Sequence, residues 1–151
     1  MAKAKAFSLE DKDENTFRLS DFKGKWIVLY FYPKDNTPGC TLEAKEFSDL
    51  KQQFEKENAV VIGISPDSPK SHTSFCEKQN LSIILLSDPD KKTIQKYDAW
   101  KEKSMYGRKY MGVERSTFLI SPTGTILEEL RKVKPKGHAQ EVLNALRQAK
   151  Q

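Results

Sequence analysis

Cys40 is one of two cysteines in 151 residues, and it stands directly behind Thr37, Pro38 and Gly39 in "YPKDNTPGCTLEAKEF". Three chemistries are open to such a thiol: apolar filler, half of a structural disulfide, or a nucleophile. Thr37 is a natural helix N-cap and Pro38 a natural first helical residue, so Cys40 falls in the first turn of a helix. That turn carries unpaired backbone N–H groups and partial positive charge, which favour thiolate over thiol. Against this stands the frequency with which cysteine is buried and merely packs. The second cysteine, Cys76, lies in "PDSPKSHTSFCEKQN" beside Phe75. If Phe75 takes the inward position, Cys76 is left at or near the surface.

Other cysteine chemistries lack their partners. A phosphate-cradling loop would need Arg at position 46, which is Glu. A Cys-x-x-Cys dithiol would need its second thiol at Glu43. Zinc could draw on His72 and Cys76, four apart on one helical face, but only His138 and Cys40 remain to complete the set, and they are expected elsewhere. No metal is expected. Glu43 lies three residues after Cys40. The preference of acids for a first helical turn accounts for it, and it stays outside the candidate set.

The elements that must position Cys40 follow from apolar patterning. "AFSLED" and "TFRLSDF" flank the turn-rich "EDKDEN" as an edge hairpin. "KGKWIVLYFYP" is a nearly continuous apolar run, as expected for a strand covered on both faces, and Cys40 follows its carboxyl end, where ligands gather in α/β sheets. Leu42, Ala44, Phe47, Leu50 and Phe54 recur near helical spacing, predicting one helix of four or five turns. "AVVIGIS" and "SIILLSD" are further strands, separated by a helix opened by Ser68 and Pro69 and closed near Asn80. "PDKKTIQKYDAW" is a short helix, and "KEKSMYGRKYMGVE" has no clear periodicity and reads as a loop. "RSTFLISPTGTILEELRKV" is a hairpin turning at Pro122, Thr123 and Gly124. Ala139, Val142, Leu143 and Leu146 line one face of a terminal helix. The order predicts an α/β fold with a central mixed sheet flanked by helices, in a single domain over 1–151, with the order of thioredoxin-like folds.

Composition narrows the class further. Hydrophobic residues at 37% and charged residues at 31% describe a soluble globular chain, with no run long enough to span a bilayer. No secretory signal is evident at the N-terminus, so a cytoplasmic location is expected, where paired structural cysteines are rare. The net charge of +5 is uneven. Residues 1–100 carry 15 Lys/Arg against 16 Asp/Glu, and residues 101–151 carry 11 against 5. Without a nucleic-acid motif or a series of stacking aromatics, that basic excess reads as solvated surface, and no specific nucleic-acid partner is expected.

Pro33, Thr37 and Cys40 together form Pro-x-x-x-Thr-x-x-Cys, which resembles the active-site signature of the peroxiredoxins. "YPKDNTPGCTLEA" with "RSTFLI" is similar to the bacterioferritin comigratory protein or peroxiredoxin Q subgroup, and the likeness runs over nearly the whole chain. The resemblance implies a thiol peroxidase without metal or organic cofactor, in which Cys40 attacks hydrogen peroxide or an alkyl hydroperoxide and becomes a sulfenic acid. It implies that Thr37 places its hydroxyl near sulfur and peroxide, that Pro33 shields the thiolate, and that the N–H groups of Gly39 and Cys40 bind the peroxide. Arg115 would then supply the fixed cation that favours the thiolate and polarises the substrate.

Many members of the subgroup carry a resolving cysteine five residues after the first, but here that residue is Lys45. Some members carry it where Cys76 stands, so the resemblance makes Cys76 the candidate resolving thiol, with thioredoxin or a similar thiol as reductant and a monomer as the working unit. A disulfide needs Cα atoms within about 7 Å, so unwinding at Cys40, Cys76 or both is expected on oxidation. Two alternatives share the fold: a redox sensor or holdase chaperone, and a one-cysteine peroxidase with Cys76 structural. Multiple turnover separates an enzyme from a sensor.

Overall fold

A strand without a charged residue needs cover on both faces, and Trp26–Phe31 receives it. The computed structural model describes residues 2–151. An N-terminal hairpin, β1 (Ser8–Glu10) and β2 (Thr16–Arg18), leads into β3 (Trp26–Phe31), helices α1 (Pro38–Asp49) and α2 (Lys51–Lys56), and β4 (Ala59–Ser65). Helix α3 (Pro69–Gln79), β5 (Ile84–Ser87) and the short α4 (Lys92–Lys96) follow. The chain closes with β6 (Trp100–Met105), β7 (Arg108–Val113), β8 (Ser116–Ile120), β9 (Ile126–Arg131) and α5 (His138–Ala149).

Seven strands make one mixed sheet in the order β2-β1-β5-β4-β3-β8-β9. Its middle is parallel, β3 beside β4 and β4 beside β5, while β8 joins β3 antiparallel and pairs with β9. The alternation of β3 divides the core. Val28, Tyr30 and Tyr32 face a cluster with Ala44 and Phe47 of α1, Phe75 of α3 and Leu143 of α5. Ile27, Leu29 and Phe31 face the other cluster, with Phe7, Ile94 of α4 and Phe118. Helices therefore cover both faces, as thioredoxin-like order requires. Tyr30 stacks on Phe47 with ring centroids 4.8 Å apart. Gly63 of β4 makes room for that ring, since a Cβ there would lie 2.7 Å from Tyr30 Cζ.

Three expectations need revision. The predicted single helix breaks at Leu50, between α1 and α2. Its buried stripe is Cys40, Glu43, Ala44 and Phe47, whereas Leu42 stands 39% exposed. The apolar pattern put the stripe out of phase because a cysteine and an acid occupy two inward positions. The segment read as a loop is the hairpin β6–β7, a separate two-stranded sheet. Most of its side chains meet solvent on both faces, so no alternation marks it, and its backbone ladder holds it instead. Cys76 is buried together with Phe75, because neighbouring positions both fit within an inward arc more than 100° wide.

Candidate active site

Thr37 is the N-cap of α1 by its extended backbone, and Pro38 follows at the first helical position. The first helical bond runs from Thr41 N–H to Thr37 C=O, which leaves the amides of Gly39 and Cys40 in the open turn ahead of it. Thr37 does not cap with its side chain. Its hydroxyl donates to Lys34 C=O at 2.8 Å, which uses its proton and tightens the loop that Pro33 begins after β3.

Cys40 itself is 1% exposed, and its sulfur has a charged partner. Arg115, the residue ahead of β8, donates from Nη2 to Cys40 Sγ at 3.2 Å and from Nη1 to Glu43 Oε1 at 3.0 Å. Pairing of β8 with β3 is what carries Arg115 across 75 positions of sequence to the thiol. Gly39 permits the approach: a Cβ there would lie 2.8 Å from Arg115 Nη2. Beside this group opens a cavity of about 320 Å³ lined by Lys101, Lys103, Glu114, Arg115 and Lys132 among others. Arg115 thus links the buried thiol to the surface.

Glu43 is the residue the sequence reading left aside. It is buried, one helical turn from Cys40 on the same face, and burial pushes its carboxyl up to about 7, against the opposing pull of Arg115. An acid at an inward helix position is the signal that could have found it. Its geometry fixes one fork of the guanidinium while the other fork meets sulfur.

Cys76 lies apart from this group, 8% exposed, beside a small cavity of about 140 Å³ lined by Asp11, Lys12, Ile83 and Leu85. Burial pushes its thiol up to about 11, with Lys12 opposing and Asp35 adding to the rise. Both cysteines are free. His72 and His138 are engaged separately: His72 Nδ1 pairs with Asp35 at 2.8 Å, and His138 Nε2 meets Thr117 Oγ1 at 2.7 Å. Among the described residues no three potential ligands converge on a metal site.

A model of the AhpC/TSA family matches residues 1–129. Peroxiredoxin Bcp of Bacillus subtilis is 50% identical over 145 residues, spanning 96% of this chain and 92% of that protein. Peroxiredoxin Bcp of Xanthomonas campestris is 51% identical over 140 residues, spanning 93% and 86%. Among solved structures, a Cys→Ser mutant of Xylella fastidiosa PrxQ superposes with a TM-score of 0.93 at 46% identity, covering 100% of this chain and 98% of that one. The Xanthomonas campestris bacterioferritin comigratory protein, studied for alkyl peroxide reduction in trapped intermediate and ligand complexes, superposes at 0.91 with 43% identity, covering 96% and 92%. With a thiol at a helix start, an arginine on its sulfur and relatives of this closeness along its whole length, the chain belongs to the AhpC/TSA family, among the Bcp and peroxiredoxin Q peroxiredoxins.

Proposed function

We propose that this peroxiredoxin reduces hydrogen peroxide and alkyl hydroperoxides through Cys40, with Cys76 resolving the oxidised sulfur and thioredoxin restoring both thiols. The observation that carries the reading is the contact of Arg115 Nη2 with Cys40 Sγ at 3.2 Å in the first turn of α1. The Cys40 thiolate attacks one peroxide oxygen, an S–O bond forms as the O–O bond breaks, and the electron pair leaves with the distal oxygen. That oxygen takes a proton and departs as water or alcohol. Charge moves from sulfur to the leaving oxygen, so donors fixed along that line act most strongly in the transition state. Arg115 and the amides of Gly39 and Cys40 are those donors. Thr37 has its own proton on Lys34 C=O, so its oxygen accepts the O–H of the peroxide. Pro33 keeps water from the thiolate, and Glu43 orients Arg115.

The Cys76 thiolate then attacks the sulfenic sulfur, forming the S–S bond and releasing the oxygen as water. A dithiol of thioredoxin reduces that disulfide by exchange. Two solved Xanthomonas campestris PrxQ structures are Cys→Ser mutants at positions as far apart in sequence as Cys40 and Cys76, which supports this pairing. The same reading takes a monomer as the working unit and the cytoplasm, where thiols are kept reduced, as its setting. Two variants test it, each measured for single turnover with peroxide and for thioredoxin-supported cycling. Cys40→Ser loses both activities. Cys76→Ser keeps the single turnover and loses the cycling; full cycling by that variant would return Cys76 to a packing role.

A further inference from the structure

Buried between the two cysteine-bearing segments is a polar cluster that the peroxide step does not use. The Asp35 carboxylate, 5% exposed, accepts from Tyr32 Oη at 2.6 Å, from Ser71 Oγ at 2.7 Å and from His72 Nδ1 at 2.8 Å. Its backbone N–H donates to Asp67 Oδ2 at 2.8 Å, and the same oxygen accepts from Ser65 Oγ at 2.8 Å. Asp35 belongs to the loop between β3 and α1, five residues ahead of Cys40. Ser71 and His72 belong to the first turns of α3, and Cys76 lies one turn beyond His72 on the same face. One carboxylate therefore ties the peroxidatic loop to the helix that holds the second thiol.

We infer that Asp35 and His72 form a latch, positioning residues that hold α3 against the Cys40 loop and so set how fast Cys76 reaches the Cys40 sulfenic acid. This rests on the reading of Cys76 as the resolving thiol. With both cysteines buried, in separate helices, disulfide formation needs α3, α1 or both to open. Opening α3 from its N-terminal end breaks the Ser71 and His72 bonds to Asp35. The latch is also built to yield. His72 is fully buried, and its Nε2 has no hydrogen-bond partner, so opening hydrates a ring nitrogen that the closed state leaves unpaired. Burial of the Cys76 thiol adds to the effect, since it is withheld as the unreactive protonated form until the helix opens. The cluster thereby sets a competition. A held latch leaves the sulfenic acid open to a second peroxide, which is reduced to water as Cys40 is oxidised to the sulfinic acid.

The test uses the full chain with Asp35→Asn, His72→Gln, Ser71→Ala and the Asp35→Asn/His72→Gln pair. Each is mixed with hydrogen peroxide, quenched with a thiol-blocking reagent, and resolved by mass into thiol, sulfenic, sulfinic and disulfide species. The expected result is faster conversion of sulfenic acid to disulfide by about tenfold in Asp35→Asn and His72→Gln, the factor one charge-assisted hydrogen bond contributes. Sulfinic acid formed per turnover should fall in step, while sulfenic acid formation stays within about twofold of the parent, since no latch residue touches the reacting sulfur. The double variant should match Asp35→Asn, because that single change already weakens the one bond that His72→Gln removes. Ser71→Ala and His72→Gln change only α3, so they keep the test decisive if Asp35→Asn disturbs the loop. Unchanged or slower disulfide formation in those two, or additive effects in the pair, overturns the latch. Absence of a Cys40–Cys76 disulfide in the parent protein would instead overturn the resolving role of Cys76.

Discussion

At the scale of single residues, the site depends on a carboxyl that burial and an arginine pull in opposite directions. Glu43 is raised to about 7 from an ordinary 4.5, with burial the larger cause and Arg115 opposing it. The folded protein binds this proton more tightly than the unfolded chain does. The resulting stability is fully present below about pH 4.5 and is lost as pH rises through about 7, a change on the order of 3 kcal/mol. Glu43→Gln is neutral throughout and should lack that slope, so denaturant titrations of both proteins at pH 5 and pH 8 should diverge by that order. The same variant keeps Cys40 but loosens Arg115. Its single-turnover rate with peroxide at pH 8 should fall by about tenfold, as expected for loss of one charged hydrogen bond; an unchanged rate would show that Arg115 holds its place without Glu43.

Among the elements, β6–β7 carries the clearest local mismatch between sequence and geometry. Its two-residue turn, Tyr106 and Gly107, has φ of 52° and 78°, the paired positive values of a type I′ hairpin. Glycine suits its position, but Tyr106 adopts a left-handed backbone that bulky residues disfavour, with its side chain 98% exposed. Tyr106→Asn loses no packing and gains a residue that tolerates this conformation, so it should stabilise the protein by about 0.5–1 kcal/mol. Thermal unfolding of the two proteins measures it, and a lower midpoint in the variant would mean that the tyrosine ring makes a contact worth more than the strain. The hairpin forms part of the wall beside Arg115 through Lys101 and Lys103, so its order bears on access to the site.

For the molecule as a whole, burial of Cys76 couples fold stability to alkaline pH. Its thiol is raised to about 11 from an ordinary 9, chiefly by burial. The stability it contributes is present below about pH 9 and is lost as pH rises through about 11. By pH 10.5 the loss relative to Cys76→Ser should be about 2 kcal/mol, read as the difference between their denaturation midpoints at pH 8 and pH 10.5. The parallel strands, most of the flanking helices and the hairpins β1–β2 and β8–β9 were legible because long apolar runs, Pro after an N-cap residue and Gly at turns act through neighbouring residues alone. The placing of Cys40 in the first turn of a helix was legible for the same reason, since that helix start is written in Thr37, Pro38 and Gly39; the choice of a reactive thiol over a packed one came from the resemblance of Pro33, Thr37 and Cys40 to the peroxiredoxin signature. What tertiary structure alone decided are the meetings of residues far apart in the chain. Arg115 reaches Cys40 because β8 pairs with β3. Asp35 meets His72, 37 positions on, because β4 lies beside β3 and delivers α3 to the loop. Cys76 is buried because α3 turns two neighbouring residues inward at once. Sequence fixes a residue's local conformation through short-range sterics and hydrogen bonds, whereas its partners and its burial depend on which strands pair, and that is set by the packing of the entire sheet.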